Sequence, residues 1–262
     1  IESHLRGKGW LDMAYVYWFD EPDAKDYPFV MNGFRTLKRH APGLRRMLTE
    51  HVTNDLVGGP DVWCPHTAGY DAVRAKERRA AGETMWWYVC CSPKAPYAGE
   101  FIDHPSNELR TWLWQTWGEQ VSGILIWETL YWHSPEAYPD ALQNPYEDPM
   151  SWLTSYGTPK GTRRPWGNGD GRLFYPPQTL ADGWAAAFAD GDPVASFRSE
   201  GLRDGLEDYE YFAMLKRLDP KSPLLAVPKS VSVSLTEFSA DPTPLEEHRL
   251  KLAHEIERMT SK

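Results

Sequence analysis

Asp12-Met13-Ala14-Tyr15-Val16-Tyr17-Trp18-Phe19-Asp20-Glu21-Pro22 is the stretch on which the fold turns. Its first part is β-branched and aromatic, the composition of a strand, and it stops at two acids and a proline. Proline cannot donate to a ladder and keeps its predecessor extended, so regular strand geometry ends there. Side chains alternate along a strand, and neighbouring carboxylates normally face opposite ways. They share a cleft only where that geometry is breaking. In parallel α/β folds the carboxyl ends of the strands form the ligand site. Asp20 and Glu21 are therefore the leading candidates for chemistry. The plainer alternatives are a solvated strand-end pair, a helix-entry cap or a salt-bridged turn.

Moving outward, a helix is expected over 27–40, stopped by Pro42-Gly43. Short strands are expected over 45–49 and 61–65, and an amphipathic helix over 70–81 that ends at Gly82. An apolar strand at 84–90, a helix at 106–117 and a strand at 121–127 complete an alternation of strand and helix. The strands are apolar on both faces, which predicts a buried parallel sheet built from βα units. From 130 to 195 the chain is rich in Pro, Gly, Trp and Tyr without periodicity. A long helix is expected over 198–218, an edge strand over 230–235 and a charged helix over 245–259.

Composition narrows the function. With 28 Lys+Arg against 37 Asp+Glu, the net charge is −9, which argues against a nucleic-acid binder, whose contacts need a basic face. It argues equally against an anionic membrane surface. No apolar run reaches the ~18 residues that a helical span requires. Cys64, Cys90 and Cys91 form no disulfide framework. They leave the compartment open, with an extracellular or periplasmic one as the expectation. The 13 Trp and 13 Tyr read first as a heavy core that takes most of the rings; the sharper reading is a surface that stacks the apolar C–H faces of sugars. His51, Asp55, Cys64 and His66 have no zinc-type spacing, so no metal or other cofactor is expected. Gly167-Asn168-Gly169-Asp170-Gly171 reads as turn chemistry and follows no strand, unlike a nucleotide loop.

Four segments carry a resemblance: Trp18 to Pro22, Trp86 to Pro93, Gly123 to Trp132 and Arg198 to Tyr211. Together they resemble the catalytic module of glycoside hydrolase family 123, a set that also includes bacterial sequences grouped as a domain of unknown function. The resemblance covers about residues 10 to 218. It implies a (β/α)8 TIM-type barrel with an Asp-Glu pair closing the fourth strand. On that count residues 1–218 carry strands four to eight of a catalytic domain, and 219–262 form a C-terminal extension. Half a parallel barrel exposes two edges and an unfilled interior. The first three strands are therefore expected from the rest of a longer polypeptide or from another chain.

The resemblance also implies retaining, substrate-assisted hydrolysis of a terminal β-linked N-acetylhexosamine, N-acetylgalactosamine first, from a glycan or glycoconjugate. Glu21 would be the acid/base, and Asp20 would orient the 2-acetamido group and stabilise its positive charge. The strand at 84–90 ends without a carboxylate, which counts against a direct enzyme nucleophile. Glu128 stands where the family usually has a small polar residue. It is either a site residue or a strand-end glutamate bonded to a nearby Arg or Lys. Trp18, Trp87, Tyr88, Trp127, Tyr131 and Trp132 are the candidate sugar contacts, each by itself equally readable as core or wall, with at least two of the set expected to line the cleft. Arg198 is expected to hold a hydroxyl or an acid, or else to pair with Glu200 or Glu207. Arg203, Asp204, Glu207, Asp208 and Glu210 read as helix-surface pairs. The rival readings are a carbohydrate-binding module without chemistry and a structural domain with an aromatic core.

Overall fold

The first strand starts later than its composition implies. In the computed structural model, which describes residues 1–154, 162–177 and 191–261, Leu11–Met13 forms a 3-10 turn and β1 is Tyr15–Asp20. The described residues form two dense units, each considered by itself: Ile1–Tyr88 with Glu119–Leu125, and Val89–Gly118 with Ile126–Lys262. No described helix is long and apolar enough to cross a membrane.

In the first unit, a short helix α1 (Glu2–Gly7) precedes β1, α2 (Tyr27–His40), β2 (Arg45–Thr49), β3 (Val62–Trp63), α3 (Ala72–Ala80) and β4 (Thr84–Met85). The spans expected at 27–40 and 45–49 are found as read. Pro28 sits in the first turn of α2, where a missing N–H costs nothing, and Lys38, Arg39 and His40 face the negative end of its dipole. Asp71 caps α3 by accepting from the amides of Val73 and Arg74 at 2.9 and 3.1 Å. Val30 and Phe34, one turn apart on α2, bury against Leu48, Trp63 and Met85.

The sheet is parallel with strand order β1-β2-β3-β4. The described strands form an open sheet within a mixed α/β fold, with no closed barrel among the described residues. One expectation is corrected here: β1 is not buried on both faces, since it is the edge strand, and Tyr15, Tyr17 and Trp18 are exposed. A side chain on an edge strand has a neighbour on one flank only, so its apolar character does not translate into burial.

The strand expected over 84–90 is broken. At Trp86 the backbone still donates to Trp63 at 2.8 Å, and the next residue, Trp87, donates to Gly123 at 3.3 Å. Trp86 lies flat over Gly123, where a Cβ would stand 2.4 Å from the ring. The chain so changes partner, and β5 (Trp87–Val89) pairs with β6 (Ile124–Ile126). A parallel bridge between His66 and Tyr88 sets β5 beside the continuation of β3.

The second unit contains α4 (Glu108–Gly118) and two antiparallel pairs, β7 (Met150–Trp152) with β8 (Trp166–Asn168) and β9 (Phe174–Tyr175) with β10 (Val194–Ala195). They lie in the stretch that shows no periodicity, because strands of two or three residues are too short to display one. Parts of that stretch, 155–161 and 178–190, lie outside the described residues. Helix α5 (Phe197–Leu218) opens with a reciprocal box between Ser196 and Ser199. The edge strand expected near 230–235 is one arm of a hairpin, β11 (Ser232–Ser234) with β12 (Glu237–Phe238), and α6 (Thr243–Thr260) follows.

Trp114, Phe212, Leu215, Leu252 and Ile256 form the core between α4, α5 and α6. Gly205 permits the α4–α5 approach, since a Cβ there would meet Leu113 at 2.9 Å. Asp208 is corrected from a surface position to the centre of this bundle. It is fully buried and accepts from Arg110 at 2.7 Å, Trp114 at 2.8 Å and Arg249 at 2.9 Å. The surface pairing on α5 belongs to Arg203, which meets Glu200, Asp204 and Glu207.

Candidate active site

Asp20 is the last residue of β1 and lies in register with Thr49, the last residue of β2. The ladder slips between Tyr17 and Phe19, so Trp18 is bulged out and 69% exposed. One residue past the strand, Glu21 has φ of 41°, in the left-handed region that costs a non-glycine residue energy and breaks the alternation of side chains. The physical result is one shared anchor. Thr49 Oγ1 donates to Asp20 Oδ1 at 2.8 Å and accepts from the Glu21 amide at 3.0 Å. Both acids are exposed at this strand end.

Two tyrosines finish the arrangement. Tyr17 donates its hydroxyl to Asp20 Oδ1 at 2.5 Å and lies 3.1 Å from Thr49 Oγ1. Burial and the Asp20 carboxylate push the Tyr17 phenol well above its usual range, so it stays a donor. Tyr88, nearly buried, donates to Glu21 Oε1. Its ring stands edge-on to His66, with centroids 5.4 Å apart. Asp20 thus has its Oδ1 saturated by two hydroxyls, and Glu21 is held by one phenol. Two hydrogen bonds on one oxygen fix the orientation of the Asp20 carboxylate.

The other expected site residues distribute unevenly. Trp87 is fully buried against Tyr70 in the first unit, at 5.2 Å between centroids, and offers no ring face to a ligand. Trp127, Glu128, Tyr131, Trp132 and Arg198 belong to the second unit. Glu128 turns back on its own chain, accepting from the amides of Thr129 at 2.8 Å and Leu130 at 2.9 Å. Trp132 donates to the Phe174 carbonyl at 2.8 Å. Arg198 is buried and spends its donors on the carbonyls of Glu100, Gly169 and Arg172 at 2.5–2.7 Å. It is a brace for a loop, and neither Glu200 nor Glu207 is its partner.

That loop is 167–171, which the sequence presents only as a turn. Gly167, Gly169 and Gly171 have φ of 74°, 82° and 71°. A Cβ at Gly167 would stand 2.4 Å from Trp152, and one at Gly171 2.7 Å from Trp127. Between them Asp170 is fully buried. Its Oδ1 accepts from the Trp127 indole at 2.9 Å and its Oδ2 from the Trp152 indole at 2.5 Å. Glu100, also fully buried, accepts from the Gly171 amide at 3.1 Å. Burial, followed by the adjacent Asp170 carboxyl, pushes Glu100 well above the usual carboxyl range, so it is held protonated. Arg172, fully buried below Tyr131, is brought down to about 10 by desolvation.

Sequence reasoning missed Tyr17, Thr49, Glu100, Trp152, Trp166 and Asp170. Thr49 carried a faint signal as a hydroxyl at the end of the strand next to the acids. Asp170 carried another, as an acid enclosed by glycines. Among the described residues no three His, Cys, Asp or Glu side chains gather as metal ligands.

Paired acids at the end of a parallel-sheet strand are the equipment of a glycoside hydrolase. The model of the glycoside hydrolase 123 catalytic domain matches residues 1–215. The chain belongs to this family. It is also similar in fold to a solved structure, a family 123 glycoside hydrolase from Clostridium perfringens described for glycolipid glycan hydrolysis, with a TM-score of 0.61 at 16% identity. That likeness covers 98% of this chain and 43% of the other, so the chain spans less than half the length of the solved protein. No curated protein matches the sequence.

Proposed function

We propose that the protein hydrolyses a terminal β-linked N-acetylhexosamine, N-acetylgalactosamine first, with retention and with the substrate's own acetamido oxygen as nucleophile. Glu21 protonates the glycosidic oxygen as the acetamido oxygen attacks the anomeric carbon. In the second step Glu21 takes a proton from the water that opens the oxazolinium intermediate. The Asp20 carboxylate, fixed by Tyr17 and Thr49, accepts the acetamido N–H and balances the positive charge. The observation that carries this reading is the shared Thr49 hydroxyl, which ties the Asp20 carboxylate to the Glu21 amide and so holds two neighbouring acids at one strand end.

The same reading takes β1, β2, β3, β4 with its continuation β5, and β6 as strands four to eight of a (β/α)8 barrel, completed by strands from elsewhere in a longer polypeptide or another chain. The unpaired edge of β1, with three exposed aromatic residues, supports it. The test uses the native full-length protein with chromogenic β-N-acetylgalactosaminide and β-N-acetylglucosaminide. Turnover that Glu21→Gln abolishes and that yields a retained anomer is the expected result. Turnover of neither substrate, or unchanged turnover in that variant, overturns the reading. Binding of the sugar without turnover would assign the protein to non-catalytic recognition instead.

A further inference from the structure

Cys90 and Cys91 follow β5 as a vicinal pair. In an extended strand, neighbouring side chains point to opposite faces, and two adjacent thiols stand apart. Here the strand ends at Val89 and the chain folds back at once, the Cys90 amide donating to the Ser92 carbonyl at 2.9 Å. The turn brings the two sulfurs together. Cys90 Sγ and Cys91 Sγ lie 3.8 Å apart, within reach of an S–H···S hydrogen bond. Cys90 is partly exposed and Cys91 is buried. Cys64, the remaining cysteine, is fully buried in the first unit.

The hydrolytic chemistry makes no use of this pair. A single thiol enclosed in a core, as Cys64 is, is inert. A partly exposed thiol in contact with a second one is different. It supplies both sulfurs that thiol–disulfide exchange requires, one to attack and one to resolve. The Cys91 thiol and burial push the Cys90 thiol up, so Cys90 rests protonated and its attack is slow at neutral pH. Adjacent Cα atoms are about 3.8 Å apart across a trans peptide, short of the usual ~4.4–6.8 Å span of a disulfide. A bond closed between such neighbours is strained and readily reduced. That suits reversible oxidation better than stapling of the fold.

We propose that Cys90 and Cys91 form a redox modification site whose reaction partner is a small-molecule disulfide. The Cys90 thiolate attacks one sulfur of that disulfide, and the other sulfur leaves as a thiolate. Cys91, its proton lost to solvent, then attacks Cys90 Sγ and expels the second half. The S–S bond of the small molecule is broken, and a new one closes a ring through the peptide bond between the two residues. The protons lost by both cysteines end on the departing thiolates. The protein is oxidised by two electrons and the small disulfide is reduced by two.

The test uses the native full-length protein, reduced, freed of reductant and incubated with oxidised glutathione at about pH 8.5, near the ordinary thiol value. After an acid quench, free thiols are counted and a tryptic digest is analysed by mass. Residues 80–94 form one tryptic peptide that holds Cys90 and Cys91 and excludes Cys64. The expected result is the loss of two thiols, with this peptide lighter by about 2 Da, and recovery of both on adding excess reduced glutathione. Cys91→Ser should stop at a mixed disulfide with one glutathione on Cys90. Cys64→Ser should lose the same two thiols as the unsubstituted protein. No loss of thiols, a glutathione adduct that persists on Cys90 with Cys91 present, or a bond from either residue to another cysteine would overturn the proposal. If Cys91→Ser does not fold, the peptide mass from the unsubstituted protein decides by itself. Every readout is a mass or a thiol count, so the outcome is independent of whether Glu21→Gln abolishes hydrolysis.

Discussion

Two acid pairs in this protein are built in opposite ways. Asp20 and Glu21 are adjacent in sequence, exposed, and bound by the hydroxyls of Tyr17, Thr49 and Tyr88. Glu100 and Asp170 are distant in sequence, fully buried, and bound by indole and backbone N–H groups. The first pair sits where protons can come and go. In the second, burial and the neighbouring Asp170 carboxyl raise Glu100 well above the usual carboxyl range. The same residue types therefore do chemistry in one place and hold shape in the other, and solvent access decides which.

The largest expected effect tests that division directly. Glu21→Gln should lower kcat/KM by about 10²–10⁴-fold, the usual contribution of a general acid/base, while Glu100→Gln should stay within about ten-fold of wild type. Equal losses in steady-state assays would break the contrast. Next, Asp208 offers a third acid that is buried and fully paired. Asp208→Ala should cost about 3–5 kcal/mol in urea denaturation, because it removes the buried carboxylate shared by Arg110, Arg249 and the Trp114 indole and leaves Arg110 with Glu246 alone.

Thr49→Val probes the anchor of the exposed pair. It should cut kcat/KM about ten-fold, equivalent to roughly 1.4 kcal/mol from lost orientation, with a melting temperature near that of wild type. A variant with full activity would remove the shared hydroxyl from the mechanism.

The smallest effect is a pH dependence of stability. Folded Glu100 holds a proton that the unfolded chain releases above the usual carboxyl value of 4.5. Stability should therefore fall as pH rises through the interval between the unfolded and folded titrations, and Glu100→Gln should flatten that fall. His248 acts in the other direction. Burial lowers it, so its contribution is lost as pH drops below 6.5 towards its folded titration. Thermal melts across pH separate the two slopes.

Much of the framework was legible because it is local. Helix α2 and strand β2 follow from apolar spacing and from Pro42-Gly43, and helix α5 from its own repeat of Leu, Tyr and Phe. Asp20-Glu21-Pro22 was legible as a strand end carrying two acids. What stayed hidden depended on partners. Thr49 reaches Asp20 only because β1 and β2 pair in that register. Trp87 and Trp127 look alike as sequence, yet one is core and the other half-open. Asp208 looked like its neighbours on α5 until α4 and α6 closed over it.

The order of elements, the acids at the strand end and the excess of aromatic rings belong to the sequence, since each depends on neighbours a few residues away. Which acid keeps its proton, which ring shows a face and which arginine is a brace are properties of the folded chain. Burial and hydrogen-bond partners set all three, and they come from segments far apart that meet only when the backbone packs.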